Sequence, residues 1–154
     1  MKRLALLAAA VLAVSLVAPA AATALIQIDR GIAGARLGNT KAEVRTALGQ
    51  PRRVVTGSNI FGPFTRFRYA GGIRVTFQSG NRVTAVSTTG LGDRTARAVG
   101  VGSTRRAVRR RVPGVRCEAV GICQTGTGEP GDRITALFLR DGRVFQVSVG
   151  IVVD

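Results

Sequence analysis

Leu37-Gly38-Asn39-Thr40-Lys41-Ala42-Glu43-Val44-Arg45-Thr46-Ala47-Leu48-Gly49-Gln50-Pro51 is the stretch that decides how this chain is read. Thr40 is a good helix N-cap, and Glu43 three residues later completes a capping box, each side chain satisfying a backbone N–H of the other residue. Val44, Ala47 and Leu48 share one face at helical spacing. Gly49 and Pro51 then stop the helix. The stretch returns as Val99-Gly100-Val101-Gly102-Ser103-Thr104-Arg105-Arg106-Ala107-Val108-Arg109-Arg110-Arg111-Val112-Pro113-Gly114. Gly102, Thr104, Val108 and Val112 sit at a constant offset of 64 from Gly38, Thr40, Val44 and Leu48. Both helices are about nine residues long, too short to stand alone in water, and each needs a sheet to lie on.

The residues after the first helix supply that sheet. Thr65, Phe67 and Tyr69 alternate with Arg66 and Arg68, and Ile73, Val75 and Phe77 alternate with Arg74, Thr76 and Gln78. This period of two gives one apolar and one wet face. Val83 to Thr88 returns as a partner strand across Ser79-Gly80-Asn81. Further on, Ile134 to Leu139 and Val144 to Val149 form a hairpin over Asp141-Gly142, a strong turn signal. Val115 to Gln124 predicts an earlier hairpin that turns at Gly121, with Cys117 and Cys123 opposite each other. A second matched block, Phe77 to Ser87 against Phe138 to Ser148 at an offset of 61, comes after the first in the same order. Gly57 to Pro63 and Thr125 to Asp132 read as flexible loops, and Thr89 to Ala98 as a linker. The expected fold is α+β: two tandem repeats, 25–90 and 91–154, each a short helix packed on a small antiparallel sheet, forming one compact unit.

Residues 1–24 read as a secretory signal peptide. Met1-Lys2-Arg3 is a positive start, Leu4 to Val17 is apolar, and Ala18 to Ala24 supplies small residues for cleavage after Ala20, Ala22 or, by preference, Ala24. The apolar run is about 14 residues, short of the roughly 20 that a membrane-spanning helix needs. No cysteine stands near the cleavage positions to carry a lipid. The expected location is secreted, extracytoplasmic, at the cell envelope. In that compartment Cys117 and Cys123, the two cysteines of the chain, form a disulfide; two free thiols are the alternative.

Losing Lys2 and Arg3 with the leader lowers the formal charge from +15 to +13. Lys41 is then the one lysine among many arginines, a bias typical of a GC-rich genome. The bias does not account for the net charge, which draws a protein to polyanions. Arg105, Arg106, Arg109 and Arg110 share the outer face of the second helix and repel one another at i, i+4. Either they are a solvated face or they form an anion-binding strip, which Arg66, Arg68 and Arg74 extend from the first sheet.

The chain has no histidine, so Ser-His-Asp and Cys-His arrangements are excluded. A Ser-Lys dyad would need Lys41, a solvated charge on a first helical turn. Glu129 and Asp132 are the one near pair of carboxylates, in a glycine-rich loop. Gly100-Val101-Gly102 lacks the third glycine and the βαβ setting of a phosphate loop. Two cysteines do not fill a tetrahedral metal shell. No enzyme, cofactor or metal is expected.

The pattern Leu37-Gly38-Asn39-Thr40, Glu43-Val44, Leu48-Gly49 and Pro51, with a β-meander after it, resembles the SmpA/OmlA (BamE-like) domain. A tandem pair with Cys117 just after the second helix is also similar to the secreted bacterial β-lactamase inhibitor protein family. The resemblance implies two units whose strands make one curved surface that binds other proteins and catalyses nothing. The chain departs from the first family in lacking a lipid-bearing cysteine, and from the second in its few aromatics and single cysteine pair. The expected function is an exported, non-enzymatic binding protein that engages an extracellular or envelope protein with its sheet surface. The alternative is a basic envelope protein that binds anionic polymer or lipid through its arginines. Nucleic acid is not an expected partner, and no transmembrane segment remains after processing.

Overall fold

The computed structural model describes residues 25–153, so the leader and its cleavage positions lie outside the described residues. Helix α1 spans Lys41–Leu48 and helix α2 Arg105–Arg111. In α1 both halves of the capping box form. The Thr40 hydroxyl accepts from the Glu43 N–H at 3.3 Å, and the Glu43 carboxylate accepts from the Thr40 N–H at 2.7 Å. These bonds, the backbone one foremost, hold the Glu43 carboxyl below its ordinary range. Val44 is fully buried, but Ala47 is exposed, so the apolar stripe is narrower than the spacing implies. In α2 the Thr104 hydroxyl caps the Ala107 N–H at 3.2 Å, and Val108 and Val112 are buried.

The described residues also form twelve strands. The first part of the chain gives β1 (Leu25–Gln27), β2 (Gly31–Ile32), β3 (Ala35–Arg36), β4 (Arg53–Asn59), β5 (Gly62–Arg68), β6 (Arg74–Gln78) and β7 (Ala85–Thr88). The rest gives β8 (Arg94–Thr95), β9 (Arg116–Cys117), β10 (Ile122–Gln124), β11 (Arg133–Arg140) and β12 (Arg143–Ile151). Eight of them make one antiparallel sheet in the order β4-β5-β6-β7-β12-β11-β10-β9. The other four make a small mixed sheet in the order β3-β2-β1-β8, in which β1 and β8 are parallel.

The expected pair of tandem helix-on-sheet repeats is corrected by this topology. Strand accounts for 45% and helix for 14% of the described residues, so this part of the protein is mainly β. There are not two small sheets. Strands β7 and β12 zip together from Thr88–Val147 to Ala85–Gly150 and fuse the strands on either side into one. The physical reason lies in the edges. Two separate four-stranded sheets would each expose one more row of unpaired N–H and C=O groups, and the seam removes both rows. Strand β1 pairs with β8, so the first described strand meets one that follows residue 90.

What the two matched sequence blocks share is one local device. The Gly38 N–H donates to the Val83 carbonyl and the Val83 N–H to the Asn39 carbonyl, at 2.9 and 2.8 Å. The Gly102 N–H donates to the Val144 carbonyl and the Val144 N–H to the Ser103 carbonyl, at 2.7 and 2.9 Å. Arg82 and Arg143 then clamp the Gly38 and Gly102 carbonyls, at 2.9 and 3.0 Å. Gly38 and Gly102 have φ of 86° and 88°, a left-handed backbone that a side chain would strain. Each helix start is thus stapled to a segment that arrives over forty residues later, just before β7 in the first case and at the start of β12 in the second.

Other local expectations fare unevenly. The Asp141-Gly142 turn forms, with φ of 51° and 73°, as a primed hairpin turn requires. Cys117 and Cys123 face each other across β9 and β10 and are joined by a disulfide, with Cα atoms 3.9 Å apart. The expected loop at Gly57 to Pro63 is instead the end of β4, a turn at Ile60-Phe61, and the start of β5. The expected linker contains β8. The small sheet is tied to the large one by Asp29, whose carboxylate accepts from the Thr125 and Thr135 hydroxyls.

One core holds the layers together. Phe67, Val75, Phe77, Val86, Val147 and Val149 project from one face of the large sheet into a cluster with Val44, Val108 and Val112 of the helix segments and Ile26 and Ile32 of the small sheet. Phe67 and Phe77 pack edge to face with ring centroids 4.9 Å apart. The helices therefore lie on one face of the large sheet, and the other is free of them. No helix among the described residues is long and apolar enough to cross a membrane.

Candidate functional site on the helix-free face

Alternation along a strand sends neighbours to opposite faces. Since Phe67, Val75 and Val86 point into the core, Arg66, Arg68, Arg74, Thr76, Ala85 and Ser87 point to the helix-free face. Register sets the rest. Arg53 pairs with Arg68 and Arg68 with Arg74, which puts three guanidiniums in a cross-strand row. The row continues through Ser87 and Ser148. At strand spacing the three arginines cover about 10 Å. Like charges directly opposite destabilise a sheet, and packing does not require arginine here, since none of the three is fully buried.

These charges find no neutralising partner in the strands. None of the twelve described strands contains Asp or Glu. Four of the seven described carboxylates are engaged with hydroxyls instead: Glu43 with Thr40, Asp29 with Thr125 and Thr135, Asp93 with Thr88, and Asp132 with Thr127. Thr127 holds the Asp132 carboxyl below its ordinary range, chiefly through its hydroxyl. The arginine side-chain hydrogen bonds go to neutral oxygens, as in Arg66 to the Thr76 hydroxyl at 3.2 Å and Arg94 to the Ser103 hydroxyl at 3.2 Å.

Arg66 is held in place. Phe64 lies across Gly57, where a Cβ would meet its ring at 2.8 Å. The Arg66 guanidinium stacks over Phe64 at 5.1 Å from its centroid. Beside it the sheet is hollow. Arg66, Arg74, Thr76, Ser87, Gln146 and Ser148 line a depression of about 330 Å³ with Ala85 at its base. On its far side β12 carries a bulge. Phe138 pairs with Gln146 and Leu139 with Val144, leaving Phe145 as the extra residue. Phe145 packs on Phe138 at 6.4 Å, and Arg140 stacks on it at 4.8 Å.

The arginines expected to form one strip are therefore split. Arg66, Arg68 and Arg74 share the helix-free face. Arg105, Arg106, Arg109 and Arg110 lie on α2, which packs against the opposite face through Val108. Arg106, Arg109 and Arg110 are exposed there, and Arg105 is half-buried. Sequence reasoning missed Arg53, Ser87, Gln146 and Ser148, because only the register of β4 and of the β7–β12 seam brings them to Arg68 and Arg74. Phe138 and Phe145 were also missed. Among the described residues no group of three His, Cys, Asp or Glu residues could hold a metal.

No protein-family model matches the chain, and no curated protein matches it. Among solved structures it is similar to an extracellular protein containing a SCP domain from Bacillus anthracis str. Ames, at 9% identity and a TM-score of 0.57, over 75% of this chain and 44% of that one. The chain thus spans less than half the length of that protein. At this identity the likeness shows the fold alone. A DUF4309 family protein (YjgB) from Bacillus subtilis is also similar, at 17% identity and a TM-score of 0.46, over 77% of this chain and 82% of that one. Neither is named for a BamE-like or β-lactamase-inhibitor domain.

Proposed function

We propose that this protein is an exported, non-enzymatic binding module that holds an anionic partner against the helix-free face of its large sheet. The Arg53–Arg68–Arg74 row carries the reading. Three like charges side by side cost stability unless something opposite is brought to them, and no described strand carries an acidic residue to do so. Guanidinium forks suit carboxylates and phosphates. The Cys117–Cys123 disulfide and the signal-like start of the sequence support an extracytoplasmic location. The SCP-domain neighbour, itself an extracellular protein, agrees with that compartment.

Two charge-reversed pairs test the reading. Arg68→Glu with Arg74→Glu changes the binding face, and Arg105→Glu with Arg109→Glu makes the same charge change on α2. The first pair is expected to elute from an anionic resin at markedly lower salt than the second. Equal losses would mean that net charge alone binds, and would sink the assignment of the face.

A protein partner is the second reading. Phe64, Phe138 and Phe145 stand beside the arginines, and aromatic residues with arginine are the enriched composition of protein interfaces. Capture of one envelope protein that is lost in the Phe138→Ser, Phe145→Ser pair would favour it.

A further inference from the structure

We propose that the hollow over the β7–β12 seam is a phosphate subsite, and that the chain bound there is a phosphodiester-linked polyol. The proposal rests on the anion-binding reading of the face and names the chemistry of its partner. The hollow exists because the two seam strands present small groups to this side: Ala85 and Ser87 from β7, Ser148 and Gly150 from β12. Longer side chains stand around them, with Arg66, Arg74 and Thr76 on one side and Gln146 on the other.

The site is rich in donors. Two guanidiniums, three hydroxyls and one amide line it, and no carboxylate does. Arg66 is already oriented, since its Nε is bonded to Thr76 and its plane is stacked on Phe64. Orientation before binding reduces the ordering cost of binding. A single carboxylate is satisfied by one guanidinium fork, with both oxygens in one plane. Here donors rise from four adjacent strands, which span about 14 Å. A tetrahedral phosphate offers oxygens out of plane to forks on two strands. The width exceeds one anion, so it suits a chain with repeated charges. The neutral serine, threonine and glutamine donors between the arginines match the hydroxyls of a polyol. From the hollow, the row Arg74–Arg68–Arg53 leads outward to β4 at the sheet edge and offers charges to successive phosphates.

The test uses the processed protein, titrated calorimetrically at fixed salt. The probes are a poly(glycerol phosphate) chain, a polyglutamate of matched charge, inorganic phosphate, and vesicles containing phosphatidylglycerol. The phosphate polymer is expected to bind roughly tenfold more tightly than polyglutamate, as one additional bond to a charged acceptor would give. It is also expected to bind more tightly than the vesicles or free phosphate. Ser87→Ala with Ser148→Ala leaves the net charge unchanged. That pair should remove the tenfold preference, by weakening the phosphate polymer more than polyglutamate. Equal binding of the two polymers, tighter binding of the vesicles or free phosphate, or a preference that survives the serine pair overturns the proposal. If polyglutamate binds and Arg68→Glu with Arg74→Glu abolishes it, the anion-binding face stands although the phosphate subsite has fallen. If no polyanion binds, both fall.

Discussion

The same eight strands present two faces built to opposite rules. On the covered face, Phe67, Val75, Phe77, Val86 and Val149 meet side by side and exclude water. On the helix-free face, the residues between them are Arg66, Arg68, Arg74, Ser87 and Ser148. Apolar neighbours on the first face gain by contact, whereas the arginines on the second repel one another. The covered face accounts for why the protein folds. The other has a composition that folding does not ask for, and that contrast points to function.

The contrast can be broken by substitution. Phe77→Ala on the covered face should cost about 3–5 kcal/mol, read as a shift of the urea midpoint. A loss under about 1 kcal/mol would show that this side is not the core. Removing the disulfide with Cys117→Ala and Cys123→Ala should cost about 2 kcal/mol, because the closed loop is short. Thermal melts with and without reductant give an independent value for the same bond. Tyr69→Phe should gain up to about 1 kcal/mol, since the Tyr69 hydroxyl is buried without a hydrogen-bond partner. That burial also pushes the Tyr69 phenol above its ordinary pKa. The smallest effect belongs to the helix-free face. Arg68→Ser or Arg74→Ser should move stability by no more than about 0.5 kcal/mol, with relief of repulsion as the favoured sign. A loss above about 2 kcal/mol would mean that the arginines hold the sheet together and would erase the contrast.

Much of the local structure was legible. The capping box at Thr40 and Glu43, the Asp141-Gly142 turn and the alternation through Phe67 and Val75 each act over a few residues, and each is found. The cysteine hairpin was legible for the same reason. Strand β4 was not, because Arg53 to Asn59 lies on a sheet edge, is largely exposed, and shows no alternating apolar pattern. The two-residue strands β2, β3 and β8 are too short to carry a period. The larger error concerned the fold. Nothing local in Ala85 to Thr88 or in Val147 to Gly150 says that these segments will pair with each other rather than end two separate sheets. The same gap hid half of the site. The arginines at 66, 68 and 74 were visible as a wet strand face, but Ser87 and Ser148 become neighbours only through the seam.

That seam has a consequence for the order of events when the chain folds. It joins residues about sixty positions apart, so its closure must wait for a large loop to be brought together. Hairpins such as β4–β5 and β11–β12 can form early from near neighbours. Pairing of β7 with β12 comes at a cost in search time that local hairpins escape. Until then two central strands stand open, each able to recruit the wrong chain. For the folding chain this is an interval of risk, and the hollow over the seam does not exist before it ends.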